Sequence, residues 1–235
     1  MPIGIIIGVV AVAIGGFLGS VIGHKLSDEF KRQMNMVFGA CALGMGIATI
    51  VLMKNMPAVV FSIIAGTIIG LALKLGKGIE TFFTKAFSGI LKSDDSEMTG
   101  LFITALVLFC ASGTGIYGSL DSGMTGNHSV LVAKAILDLF TAMIFACQLG
   151  KVVSVISIPQ FVIFILLFIL AKIIVPMTDA IMIADFKACG GFLLLATGFR
   201  MLKLRDLPVA DMIPAMALVM PVSYFWVQVI LPLIG

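Results

Sequence analysis

The sequence predicts an all-α fold, a polytopic bundle of about eight transmembrane helices with no soluble domain of any size. Three observations carry this. Of the 235 residues, 60% are hydrophobic and only 11% charged, where soluble domains carry about 25% charged residues. Apolar runs of 18 or more residues recur along the chain, each long enough to cross about 30 Å of hydrocarbon as a helix. The runs do not alternate polar and apolar positions, as the strands of a membrane barrel would.

The expected spans are 3–23, 34–53, 57–74, 98–119, 129–150, 159–176, 186–203 and 208–232. Pro57, Pro159 and Pro208 stand at span starts, where a missing N–H costs nothing. The opening MPIGIIIGVVAVAIGGFLGSVIG lacks the basic segment of a signal peptide and reads as a first span retained in the mature protein. Its Gly15, Gly19 and Gly23 repeat every fourth residue. Such a face packs helices closely, either within the chain or across a homodimer. In the third loop, residues 78–92 place Ile79, Phe82, Phe83, Phe87, Ile90 and Leu91 on one face, with Glu80, Lys85 and Lys92 off it. That predicts an amphipathic helix on the membrane surface. The SDDSE that follows reads as a helix cap. Cys41, Cys110, Cys147 and Cys189 fall inside apolar runs and read as small buried hydrophobes.

Cationic residues set the orientation. Loops on one side carry eleven of the 15 Lys and Arg, those on the other carry Lys54, Lys172 and Lys187, and Lys134 lies within a span. Both termini are therefore expected outside. The net charge of +3, with no run of cations, argues against a nucleic-acid partner.

A repeat shows beneath the hydropathy. Lys54-Asn55-Met56-Pro57 and Arg205-Asp206-Leu207-Pro208 match in type, each after a long apolar helix and before another. Phe30-Lys31 and Phe186-Lys187 stand at similar distances upstream. Spans 1–3 thus resemble spans 6–8. An offset of five crossings makes the two units run in opposite senses, as in many secondary transporters. The expected division is repeat 1 over 1–75, the surface helix 78–92, a central hairpin 98–157, and repeat 2 over 158–235.

The central hairpin contains SGTGIYGSLDSGMTGNHS (112–129). Each glycine costs about 1 kcal/mol in a helix, so span 4 is expected to lose helical character at Ser112. Gly113, Gly115, Gly118, Thr114, Ser119, Ser122, Thr125 and Asn127 then become candidate ligands for a solute or ion, because irregular backbone at membrane depth lines a wet cavity or is buried in protein. The start of span 5 would point its positive end into the same region. A plain turn between two helices is the other reading. Lys134 and Asp138 follow at i and i+4, on one helix face. Asp138 lies about 13 Å into its span, near the midplane, where a charge is costly and needs a partner. The pair is either a structural lock or a cation or proton site with Lys134 as counter-ion. Thr141 continues the polar face, with Gln148 beyond it.

The run FCASGTGIYGSLDSGMTGNHSVLVAKAILDLFTAMIFACQLG (109–150) resembles the central signature of a prokaryotic membrane family, domain of unknown function 554. GHKL after the first helix and the late LPVADMIPA are similar too, so the resemblance covers essentially the whole chain. Gly113-Thr114 stands where the family pattern leads one to expect Gly-Pro. The resemblance implies a multi-pass protein of the bacterial cytoplasmic (inner) membrane. It singles out Gly118, Ser119, Gly123, Thr125, Gly126, Lys134 and Asp138, and it imports no activity.

The leading functional reading is a secondary transporter of a small polar or charged solute, coupled to H⁺ or Na⁺. An oligomeric ion channel and a non-transporting scaffold or sensor are the alternatives. HExxH, GxSxG and facing Asp pairs are absent from the sequence, so no enzyme, cofactor or metal centre is expected.

Overall fold

The computed structural model describes residues 1–22, 27–87 and 96–234. They form helices and short connections throughout: α1 (Ile3–Ile22), α2 (Asp28–Ile50), α3 (Met56–Leu73), α4 (Leu75–Phe87), α5 (Ser96–Cys110), α6 (Gly113–Thr125), α7 (Ser129–Leu149), α8 (Ser157–Ile174), α9 (Ala180–Met201), α10 (Pro214–Phe225) and α11 (Leu231–Ile234). Among the described residues, seven continuous helical segments are long and apolar enough to cross a membrane. One of them, Ser129–Met177, holds both α7 and α8 joined by a 3₁₀ stretch at Gly150–Ile156. Each of those two helices is long enough to cross by itself, which agrees with about eight crossings.

The chain splits into two compact units, Met1–Phe38 with Lys77–Ile173, and Gly39–Gly76 with Ile174–Gly235. Residues 1–75 contribute to both. In the first unit a methyl group at Gly15 would run into the Leu139 carbonyl oxygen, and one at Gly19 into the Met143 carbonyl oxygen. The small-residue face of α1 is therefore covered by α7 of the same chain, the within-chain alternative. Gly23 lies outside the described residues. Ser154 Oγ donates to the Ala13 carbonyl at 2.9 Å and ties α1 to the 3₁₀ stretch. Val12, Phe102, Leu106, Phe109, Ala142, Ala146, Val153 and Ile156 fill the core between these elements. We expect Gly19→Val to cost about 1–3 kcal/mol, because backbone cannot step aside as a side chain can. Gly8→Ala, at a position with open space around it, is the neutral control, and thermal melting in detergent reads both.

In the second unit the close approaches are reciprocal. A Cβ at Gly46 would lie 2.8 Å from the Gly191 carbonyl oxygen, and one at Gly191 2.8 Å from that of Gly46. Gly39 and Gly198 face each other's carbonyls in the same way, at 3.1 and 2.9 Å. Helices α2 and α9 thus cross antiparallel, and so do α3 and α10, where Gly66 meets Ala215 and Gly70 meets Asp211 in the turn leading into α10. In the first unit α1 and α7 run parallel, with Gly4 beside Leu131 and Gly19 beside Met143. Strict alternation of eight crossings demands each of these senses.

Several boundaries depart from the sequence expectation. Helix α2 begins at Asp28 and α9 at Ala180, six residues earlier than expected in each case. Asp179 caps α9 by accepting from the Ile181 and Met182 N–H groups, both at 2.8 Å. The last span begins late, at Pro214, because 208–213 form turns. Helix α4 starts at Leu75 and packs Ile79, Phe83 and Phe87 into the first unit's core, while Phe82 is exposed. The expected contributions of Ile90, Leu91 and Lys92 fall outside the described residues, as do the first residues of SDDSE. Cys110 and Cys189 are buried as expected, whereas Cys41 is exposed.

Candidate functional site

The segment expected to unravel at Ser112 is helical. The break between α5 and α6 spans only Ala111 and Ser112, and Ser112 Oγ accepts the Gly115 N–H at 3.2 Å as the cap of α6. The turn to α7 shrinks to three residues, entered through Gly126 at φ 73°, a left-handed value that suits glycine. Packing outweighs propensity here. Gly115 abuts Phe164, and Gly123 abuts the Phe168 carbonyl and Ala171. Ser119 falls between them on the same i, i+4, i+8 row. The row lets α6 lie parallel to α8 at a distance larger side chains would forbid. Residues 113–122 are all buried.

Lys134 and Asp138 form the ion pair at the centre of α7. Lys134 Nζ donates to Asp138 Oδ1 at 2.7 Å and to Oδ2 at 2.6 Å. Both residues are buried, at 4% and 6% exposure. Three further helices, α5, α6 and α8, complete the cluster. Gln160, fully buried in the first turn of α8, donates through Nε2 to Asp138 Oδ2 at 3.0 Å and, weakly, to the Phe109 carbonyl at 3.5 Å. The rings of Phe109 and Phe164 flank the ammonium, each centroid 5.9 Å from Nζ, a favourable place for a cation. Gly115 closes the fourth side, where an added Cβ would lie 3.0 Å from Lys134 Cε. The N-terminus of α6, rather than that of α7, therefore sits beside the pair. Helix α7 begins instead beside Gly118 and Ser122, whose hydroxyl is 2.7 Å from His128 Nδ1.

Two buried side-chain atoms in this region have no hydrogen-bond partner, Gln160 Oε1 and Ser119 Oγ. Such groups are rare in folded proteins.

The structure therefore brings Lys134 and Asp138 together with Gln160, Phe109 and Gly115. Ser119 lies one turn further along α6, on the α8 face. Gly118 faces Leu131 and Val130, and Gly123 faces α8 backbone. Thr125 Oγ1 donates to the Asp121 carbonyl and Oδ1, and Gly126 ends the helix. These last two lie at the far end of α6, about 16 Å of helix from Gly115. Thr114 is buried beside the cap, and Thr141 Oγ1 bonds back to the Leu137 carbonyl. Gln148 is exposed and does not continue the polar face. Sequence reasoning missed Gln160, whose signal was a lone amide just after a span-starting proline.

Another buried carboxylate stands in the other unit. Asp185 is fully buried in α9. Its Oδ1 accepts the N–H groups of Lys54 (2.8 Å) and Asn55 (2.9 Å), and its Oδ2 accepts Asn55 Nδ2 (2.8 Å) and Ser223 Oγ (2.6 Å). Four donors fill the four lone-pair positions. This carboxylate staples the α2–α3 junction to α9 and α10.

Fold and site together define a polytopic membrane protein with a charged cluster buried among its helices. The chain belongs to the family described as Protein of unknown function (DUF554), whose model matches residues 3–224. It is 45% identical over 230 residues to the Uncharacterized protein YqgA of Escherichia coli (strain K12), covering 96% of this chain and 98% of that protein. It is 23% identical over 224 residues to the Uncharacterized membrane protein YdfK of Bacillus subtilis (strain 168), covering 94% and 95%. No solved structure matches the chain.

Proposed function

We propose that this protein is a secondary transporter of a small polar or charged solute, driven by H⁺ or Na⁺, with its site at the Lys134–Asp138–Gln160 cluster beneath the α5–α6 break. The observation that carries the reading is a midspan carboxylate shared between an ammonium and an amide, the amide keeping one buried oxygen unpartnered. A purely structural pair gains nothing from an unsatisfied neighbour. An ion or solute that supplies a donor or a positive charge does.

The reciprocal glycine contacts of α2 with α9 support the same reading. Gly39 pairs with Gly198 and Gly46 with Gly191, the exchange that a local two-fold axis between inverted repeats produces. The cytoplasmic (inner) membrane is the placement the family resemblance implies, and both termini outside is the orientation the Lys and Arg distribution favours.

The test is thermal melting of the purified chain against a panel of ions, amino acids and small organic acids, beside Asp138→Asn. A ligand that binds only the folded state raises its stability. The expected result is at least one solute that stabilises the parent and not the variant, and that is taken up by proteoliposomes. A panel without effect, with Asp138→Asn merely melting earlier, would sink the reading.

A further inference from the structure

We propose that Asp138, Gln160 and the Phe109 carbonyl form a site for a monovalent metal cation the size of sodium, and that the Lys134 ammonium is a tethered cation holding that place when the metal is absent. This rests on the transport reading and names its coupling ion.

Gln160 is the pivot of the site. Its Nε2 spends its hydrogens on two acceptors, the Asp138 carboxylate and the Phe109 carbonyl. That chemistry fixes which end of the amide is nitrogen while no metal is present. The same orientation leaves Oε1 buried with no donor. A half-turn about the terminal torsion, a broad two-fold rotor, exchanges the two ends. Oxygen then stands about 3.0 Å from Asp138 Oδ2 and about 3.5 Å from the Phe109 carbonyl oxygen, taking the amide nitrogen's place at those distances. Three oxygens meeting without a hydrogen repel one another, and a cation between them turns the repulsion into coordination.

The dimensions select the ion. Sodium is close in size to calcium, which holds oxygen ligands at about 2.3–2.6 Å. Ligands at right angles around such an ion lie about 3.4 Å apart, between the two edges given above. Magnesium, at about 2.0–2.1 Å, needs a tighter octahedron and keeps its waters. With a single carboxylate in the cluster, a divalent ion would leave excess charge buried at membrane depth. Lys134 already shows that a monovalent cation satisfies Asp138. When metal enters, the ammonium gives up the carboxylate and keeps the faces of Phe109 and Phe164, both within 6 Å.

Binding of radioactive ²²Na⁺ to the purified full-length chain in detergent tests this, at constant ionic strength with choline as the inert cation. Melting and gel filtration check that each variant is folded. The parent is expected to bind sodium saturably, with choline failing to compete. Lys134→Gln removes the tethered competitor and should tighten binding at least tenfold. Gln160→Leu should weaken it at least tenfold, and Asp138→Asn should abolish it. If Lys134→Gln does not fold, Gln160→Leu against the parent decides alone. No saturable binding to the folded parent and folded Lys134→Gln overturns the proposal, as does unchanged affinity in Gln160→Leu, or equal competition by choline. Solute stabilisation that depends on Asp138, in a folded parent that binds no sodium, overturns the sodium site yet leaves the transport reading standing. Loss of both effects overturns both.

Discussion

Replacing Asp138 by Leu while Lys134 remains is expected to destabilise the protein by about 3–5 kcal/mol, the cost of leaving one partner of a buried pair uncompensated. Lys134 is 4% exposed and its ammonium has its two carboxylate bonds on this one residue. Gln160 loses an acceptor at the same time. Melting should fall by on the order of 10 °C. The double variant Lys134→Met with Asp138→Leu should recover most of that loss, since two well-packed apolar side chains often replace a buried pair at little cost. If the cluster is the proposed solute site, the double variant should still fail to take up solute. This combination separates the two readings of the pair, because a structural lock loses only stability, while a solute site loses function even after stability returns. A double variant that melts as early as the single one would show that something other than the uncompensated charge destabilises the chain.

Asp185→Ala should cost at least as much, about 4 kcal/mol or more, which places it among the exceptional single substitutions. Four donors lose their acceptor together, three of them on Lys54 and Asn55, where α2 turns into α3. Hydrogen bonds to charged groups are each worth about 1.5–3 kcal/mol, and the four share one carboxylate, so they do not simply add. Asp185→Asn should fall between, because its amide keeps one acceptor oxygen but turns a donor toward other donors. Ser223→Ala should cost least, having a single bond to lose. Melting curves of the three variants give the ranking. An Asp185→Ala protein that melts within about 2 °C of the parent would mean that the junction is held by other contacts.

The spans were legible because bilayer thickness leaves its length in the sequence, and the Lys134–Asp138 pair because helical periodicity brings i and i+4 together. What stayed hidden depended on partners far along the chain. Asn55 and Asp185 meet across 130 positions, and Asp185 looked like a residue before its span, since the cap at Asp179 that starts α9 early is a single side chain. Gln160 sits 22 positions from Asp138, on another helix, with no local pattern joining them. Helix α6 was misread for a different reason. Its glycines count against helix formation one residue at a time, yet their missing side chains allow the close packing on α8 that makes the helix stable. The resemblance to the family marked Lys134 and Asp138 together with Gly118, Thr125 and Gly126, and these belong to two ends of one hairpin.

Gly115 has a consequence for time. The wall beside the Lys134 stem is the backbone of α6, not a side chain. A side chain steps aside in picoseconds to nanoseconds, whereas packed helices move over microseconds to milliseconds. Room for the ammonium on that side is thus governed by a helix that is itself held against α8. Under the proposed cation exchange, movement of the ammonium toward Gly115 would take its clock from that slower motion.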